Sequence, residues 1–220
     1  MDAKPFGWGL FRRREVVVPT WRGQLLGAIL LLALLRSIQV TVQPFLSVHE
    51  PIGGDVLVVE GWIPDYALRE ALVAFRSRPY RLLLTTGGPV PQGMAFSYHK
   101  NYARLAAATL AEFGLPPDSI AEIPSPDVLR DRTYAEGVAL KEWMRTHGAP
   151  ASLDLFSFST HSRRSRLLYA KALGRGTPIG VYAPPDVQYD PAHWWRSSNG
   201  VRRVSDEVIA YLYARFLFRE

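Results

Sequence analysis

The 220-residue chain has no cysteine. A disulfide framework and a thiolate metal site are therefore excluded, and an oxidising compartment poses no hazard to it. Missing too are the phosphate loop G-x-x-x-x-G-K-[ST], the dinucleotide fingerprint G-x-G-x-x-G, the metallopeptidase motif H-E-x-x-H and the nucleophile elbow G-x-S-x-G. Ordinary NTPase, dehydrogenase, zincin and α/β-hydrolase readings fall with them. The five histidines, at 49, 99, 147, 161 and 193, lack metal-ligand spacing, so no metal site is expected. A concentrated surplus of charge is absent as well. The formal charge of +6 divides between residues 1–50, with six basic and three acidic side chains, and the remainder, with 20 and 17. No Lys/Arg-rich run with interleaved aromatics occurs beyond the first fifty residues, and nucleic acid is not an expected partner.

Long apolar runs are scarce, with one exception near the start. Arg12 to Arg14 and Arg22 precede a run from Leu25 to Leu35, short of the roughly 20 residues that cross a bilayer. Continuing through Ile38, Val40, Val42, Phe45 and Leu46 reaches that length by admitting Arg36, Gln39 and Gln43. An uncleaved anchor, a cleaved signal peptide and a helix packed on the soluble part all compete for this segment. Arg36 follows Leu35 directly, leaving no small-x-small cleavage site, so the anchor is favoured. Basic residues cluster before the run, and neither Lys nor Arg occurs between Arg36 and Arg69, which places the amino terminus in the cytoplasm. The expectation is a single pass through the inner or plasma membrane, with residues 1–46 as basic segment and anchor and 47–220 as an extracytoplasmic domain.

The apolar share of 48% suits a globular body. From Asp55 onward, short apolar runs alternate with helical periodicity: "DVLVVEG", "YALREALVAFRSR", "RLLLTTGG", a helical stretch ending at Gly114, "SIAEIP", a helix from about Arg132 to His147, "SLDLFSFS", another helix and "TPIGVYA". Nearly continuous apolar strands, each followed by a helix, predict a doubly wound, Rossmann-like α/β domain with five parallel strands and helices on both faces. The closing stretch "VSDEVIAYLYARFLF" predicts an aromatic helix that packs on the core or meets a membrane surface or partner.

In such sheets ligands sit beyond the carboxyl ends of the strands where the winding reverses. The ends are Glu60-Gly61-Trp62, Thr85-Thr86-Gly87-Gly88 and Ser159-Thr160-His161. Paired glycines let backbone N–H groups approach an oxyanion. After the fourth strand Arg163, Arg164 and Arg166 fall in the first turn of a helix, where cations are disfavoured unless an anion joins them. Arg163 and Arg164 are thus expected to hold a phosphate or carboxylate, with His161 facing the ligand as a proton donor or acceptor. The alternative is a strand-end histidine beside a solvated basic face. In "LRDRTYAEG" Asp131 or Thr133 can cap the next helix, Glu136 can complete a capping box, and Arg132 can add positive charge to the crevice. Glu60 and Asp65 suit a general base or a cation, or equally a turn and an N-cap. "HWWRSSNG" can form a lid or pack on the last helix.

The order "DVLVVEG", "LLLTTGG", "RDRTYAEG", "FSTHSRRSRLLY" resembles the SanA/YdcF family of envelope proteins over about Asp55 to Phe218. The resemblance implies a Rossmann-like domain behind a membrane anchor. It also implies a role in peptidoglycan, surface polysaccharide or lipid-carrier metabolism. Thr86, Gly87, Gly88, Thr133, His161 and Arg164 match the family's motif positions, whereas Glu60-Gly61-Trp62 replaces a glycine run. The cofactor stays unknown. One reading is a phosphoryl or pyrophosphate hydrolase or transferase acting on a phosphate-bearing small molecule or lipid-linked precursor. The others are a non-catalytic envelope scaffold and an S-adenosylmethionine-type nucleoside-binding transferase.

Overall fold

The computed structural model describes residues 5–6, 8, 11–12, 16–90, 98–174 and 176–219. It divides into two compact units, 1–39 and 40–220. In the first, residues 5–6 pair antiparallel with 11–12, and helix α1 (Trp21–Leu46) begins. α1 is unbroken through Arg36, Gln39 and Pro44. At 26 residues it is long and apolar enough to cross a membrane, and none of its apolar window is buried. Its length is about 39 Å at 1.5 Å per residue.

The second unit takes in α1 from Val40 and carries a five-stranded parallel sheet. Its strands are β1 (Val56–Glu60), β2 (Leu82–Gly87), β3 (Ile120–Pro124), β4 (Leu153–Phe156) and β5 (Ile179–Tyr182). Their spatial order is β3-β2-β1-β4-β5. Val56 pairs with Leu82 on one side and Leu153 on the other, so β1 is central. Every residue of β1, β4 and β5 is buried, the mark of a sheet covered on both faces. Alternation within β1 divides the core. Leu57 and Val59 face α2 (Asp65–Ser77) and α3 (Tyr102–Glu112), while Val56 and Val58 face α4 (Arg132–His147) and α5 (Ser162–Leu173). The doubly wound expectation holds, with the winding reversed between β1 and β4.

Helix ends differ where capping decides them. α3 starts at Tyr102 because the Asn101 side chain accepts from the Ala103 N–H at 2.8 Å. The last helix, α6 (Ser198–Leu212), starts six residues before the periodic stretch "VSDEV", because Ser197 Oγ accepts from Gly200 N–H at 3.0 Å. α6 continues as a wider turn over Tyr213–Leu217. Trp194 of the preceding Pro191–Arg196 turn packs on Leu46, Tyr189 and Val204, which gives this tryptophan a core position and no place in the cleft described next.

Candidate functional site

The carboxyl ends of β1, β2 and β3 and the helices α4, α5 and α6 enclose a cleft of about 820 Å³, within the range of small-molecule sites. Trp62 follows β1, and Gly88, Pro89 and Val90 follow β2. The loop after β3 brings Asp127, Arg130 and Asp131, and α4 brings Arg132, Thr133 and Glu136. His161 and Arg164 come from the start of α5, and Arg203 and Tyr213 from the far wall. Of the sequence-predicted residues, Gly88, Arg132, Thr133, His161 and Arg164 therefore meet in one place.

The arginines of α5 do not form the expected pair. Arg163 turns out of the cleft: its Nε donates to the Phe45 carbonyl, and its guanidinium lies 4.0 Å over the Phe45 ring. Arg164 stays in the cleft but spends its charge on Glu207 of α6, with Nε 2.6 Å from Oε1 and Nη2 3.2 Å from Oε2. Arg166 reaches Glu50 at 2.7 Å. A clamp by Arg163 and Arg164 is thereby corrected, because each guanidinium is already occupied within the fold.

The cleft cations with no hydrogen-bond or ion-pair partner among the described residues are Arg130 and Arg132, both exposed at the start of α4. Asp131 between them has φ 58° and no side-chain capping bond, so neither it nor Thr133 caps α4 and no capping box forms. The helix N-terminus opens toward the cleft with the partial positive charge of its unpaired N–H groups. Asp127 and Asp131 share this rim. The potential at this rim is thus mixed, rather than the unbalanced positive one expected.

Glu136 is the residue the sequence reading placed elsewhere. It is buried one turn into α4 on the cleft floor, where its Oε2 accepts from Tyr169 Oη at 3.3 Å, which in turn is 2.7 Å from Thr86 Oγ1. Burial, and then the charge of Glu60, raise its carboxyl to about 8, so it is predominantly a neutral acid at pH 7. No short motif marks it; its i+3 spacing from Thr133 looks like a capping box until the cap is seen to be absent.

Glu60 itself is fully buried and does not line the cleft. It accepts from Ser157 Oγ at 2.6 Å and Ser165 Oγ at 2.8 Å. Its Oε1 lies 3.9 Å from His161 Nε2, a buried nitrogen with no hydrogen-bond partner among the described residues. The other nitrogen, Nδ1, sits 2.8 Å from Arg164 Nη2 and 3.1 Å from Glu207 Oε2. A guanidinium can only donate, so the neutral ring accepts at Nδ1 and carries its proton on Nε2; the charged ring donates from Nδ1 to Glu207. Trp62 holds the ring edgewise, centroids 4.8 Å apart. Burial favours a protonated Glu207, but hydrogen bonds and charge from His161 and Arg164 outweigh it and leave the carboxyl below its ordinary value. Glu207 had no signal in the sequence beyond its place in an aromatic helix.

The remaining expected site residues are structural. Thr86 is buried against Tyr169. A Cβ on Gly87 would stand 2.6 Å from Tyr102 Cβ, so the missing side chain there lets α3 close on the sheet. Ser159, with φ 44°, and Thr160 are buried, Ser159 Oγ lying 3.3 Å from Tyr189 Oη. Asp65 is the exposed first residue of α2 and is not part of the cleft. No group of three or more His, Asp or Glu among the described residues is placed to hold a metal.

In comparisons with family models, curated proteins and solved structures, nothing matched the chain. The likeness to the SanA/YdcF family therefore rests on its sequence motifs.

Proposed function

We propose that this chain is a membrane-anchored, extracytoplasmic α/β protein of cell-envelope biogenesis whose cleft binds a phosphate-bearing ligand and hydrolyses or transfers it. The observation that carries the ligand class is the pairing of two guanidiniums without a partner among the described residues, Arg130 and Arg132, with the open N-terminus of α4. Arginine forks and helix N–H groups both suit a phosphate. Asp127 and Asp131 beside them suit donor groups, so the ligand carries hydroxyls as well as phosphate, as a sugar or nucleoside phosphate does. The membrane placement rests on α1 and on the basic residues before it, and the envelope role on the family resemblance.

In the hydrolytic form of the reaction a water attacks phosphorus, the bond from phosphorus to the leaving oxygen breaks as Glu136 gives that oxygen its proton, and the water's proton passes to His161 Nδ1 as Arg164 releases it, the charged ring then donating to Glu207. Glu207 and Arg164 position the imidazole for that transfer, and Glu60 lies behind it as a buried counter-charge. The binding step is tested with the detergent-solubilised full chain and inorganic pyrophosphate by titration calorimetry. Arg130→Ala together with Arg132→Ala is expected to weaken binding by about tenfold or more, since charge-assisted hydrogen bonds are worth about 1.5–3 kcal/mol each. Arg163→Ala is expected to bind like the parent. Equal affinity in the parent and the double variant would remove the phosphate-site reading.

A further inference from the structure

We propose that the carboxyl-terminal half of α6 and the turn after it lie on the bilayer surface as a second membrane contact, beside the end of α1. The inference rests on the anchoring reading above. The first observation is a stripe at helical spacing: Ile209, Leu212 and Phe216 are 68%, 48% and 74% exposed, and Leu217 extends it at 69%. The core side of the same helix is already satisfied by Val204, Glu207 and Ala214. The stripe is surplus to the fold, and contiguous exposed apolar surface of this kind marks a contact.

The second observation sets its level. Val42 and Phe45 of α1 share an apolar groove of about 320 Å³ with Leu212, Arg215 and Phe216, and the Phe45 ring meets Tyr211 edge-on at 5.5 Å. A span of about 20 residues counted from Gly23 ends near Val42. Side chains that share a groove with Val42 therefore stand at the membrane boundary. Arg215 lines the groove, and the half-buried Arg163 lies over the ring of Phe45 at its edge. An apolar face rimmed with cations matches the acyl region and anionic headgroups of an interface.

The consequence reaches the cleft. Ala210, Tyr213 and Ala214 line it from the other side of this helix, so one helix separates the phosphate site from lipid. A ligand group that touches this wall of the cleft lies one helix diameter, about 10 Å, from the membrane.

The absence of cysteine makes the test direct, because a single introduced thiol labels uniquely. The full chain is reconstituted in phosphatidylethanolamine–phosphatidylglycerol vesicles carrying Leu32→Cys, Val73→Cys, Ile209→Cys or Phe216→Cys, each labelled with an environment-sensitive fluorophore and exposed to a nitroxide-bearing lipid. Residues 209 and 216 are expected to be strongly quenched, like 32 in α1, while 73, an exposed apolar position on α2, is not. Quenching at 32 with 209 and 216 as unquenched as 73 would overturn the second contact and spare the anchor. Absence of quenching at 32 would overturn both. Cross-linking of two copies through residue 216, without lipid quenching, would instead assign the stripe to a dimer.

Discussion

Three arginines stand within the first five residues of α5, near a helix end that disfavours cations. The fold answers each separately: Arg163 has the Phe45 carbonyl and ring, Arg164 has Glu207, and Arg166 has Glu50. The residue that changes the chemistry is Glu136. Its folded carboxyl is raised from 4.5 to about 8 by burial and then by the charge of Glu60. The unfolded chain releases this proton near 4.5 while the native state keeps it, so folding loses stability as pH climbs from about 4.5 to 8. The stabilising effect of this retained proton is full below about 4.5 and gone above about 8. Glu136→Gln keeps a neutral side chain throughout, and its urea midpoint should change less between pH 5 and pH 8 than the parent's. A parent and variant with the same pH dependence would show that Glu136 is ionised in the native state at neutral pH.

Elements were the most legible part of the sequence. The strands emerge within a residue or two of the apolar runs that predict them, because burial on both faces leaves the run itself as the signal. Loops and long-range pairs were not legible in this way. Asp154, midway along an apolar strand, is fully buried because it accepts from the N–H groups of Ile52, Gly53 and Gly54 and from Tyr80 Oη, partners about a hundred residues away in three of the four cases. Glu207 likewise acquires its meaning only when α6 lands on α5. The cleft's location at the strand ends could be read from the alternation of strands and helices. Which arginines remain available there could not, since that depends on where acids 40 or more residues away are brought. The end of α1 shows the same dependence. Leu46 is 1% exposed, packed with Tyr189 and Val204, so the last turn of α1 belongs to the core of the α/β unit. Leu46→Ala is expected to lower stability by about 3 kcal/mol, as for a buried leucine that leaves a cavity, and a denaturant titration of the full chain measures it. A loss below about 0.5 kcal/mol, the range of surface substitutions, would mean that the helix end is dispensable to the domain.

Across the whole molecule, an apolar helix, a parallel sheet and a mixed-charge cleft occupy the same chain, and their combination gives the account its direction. α1 is long and apolar enough to cross a membrane. The reversal between β1 and β4 opens the edge at which ligands collect. At that edge Arg130 of the preceding loop and Arg132 of α4, without partners among the described residues, flank the N-terminus of α4, above the raised carboxyl of Glu136 and beside a histidine oriented by an ion pair. The most direct measurement is a crystal of the full chain soaked in pyrophosphate. The account predicts pyrophosphate density within hydrogen-bond distance of Arg130 or Arg132 and the first N–H groups of α4. Density confined to Arg163 and the α5 face outside the cleft, or an empty α4 edge at saturating pyrophosphate, would contradict it.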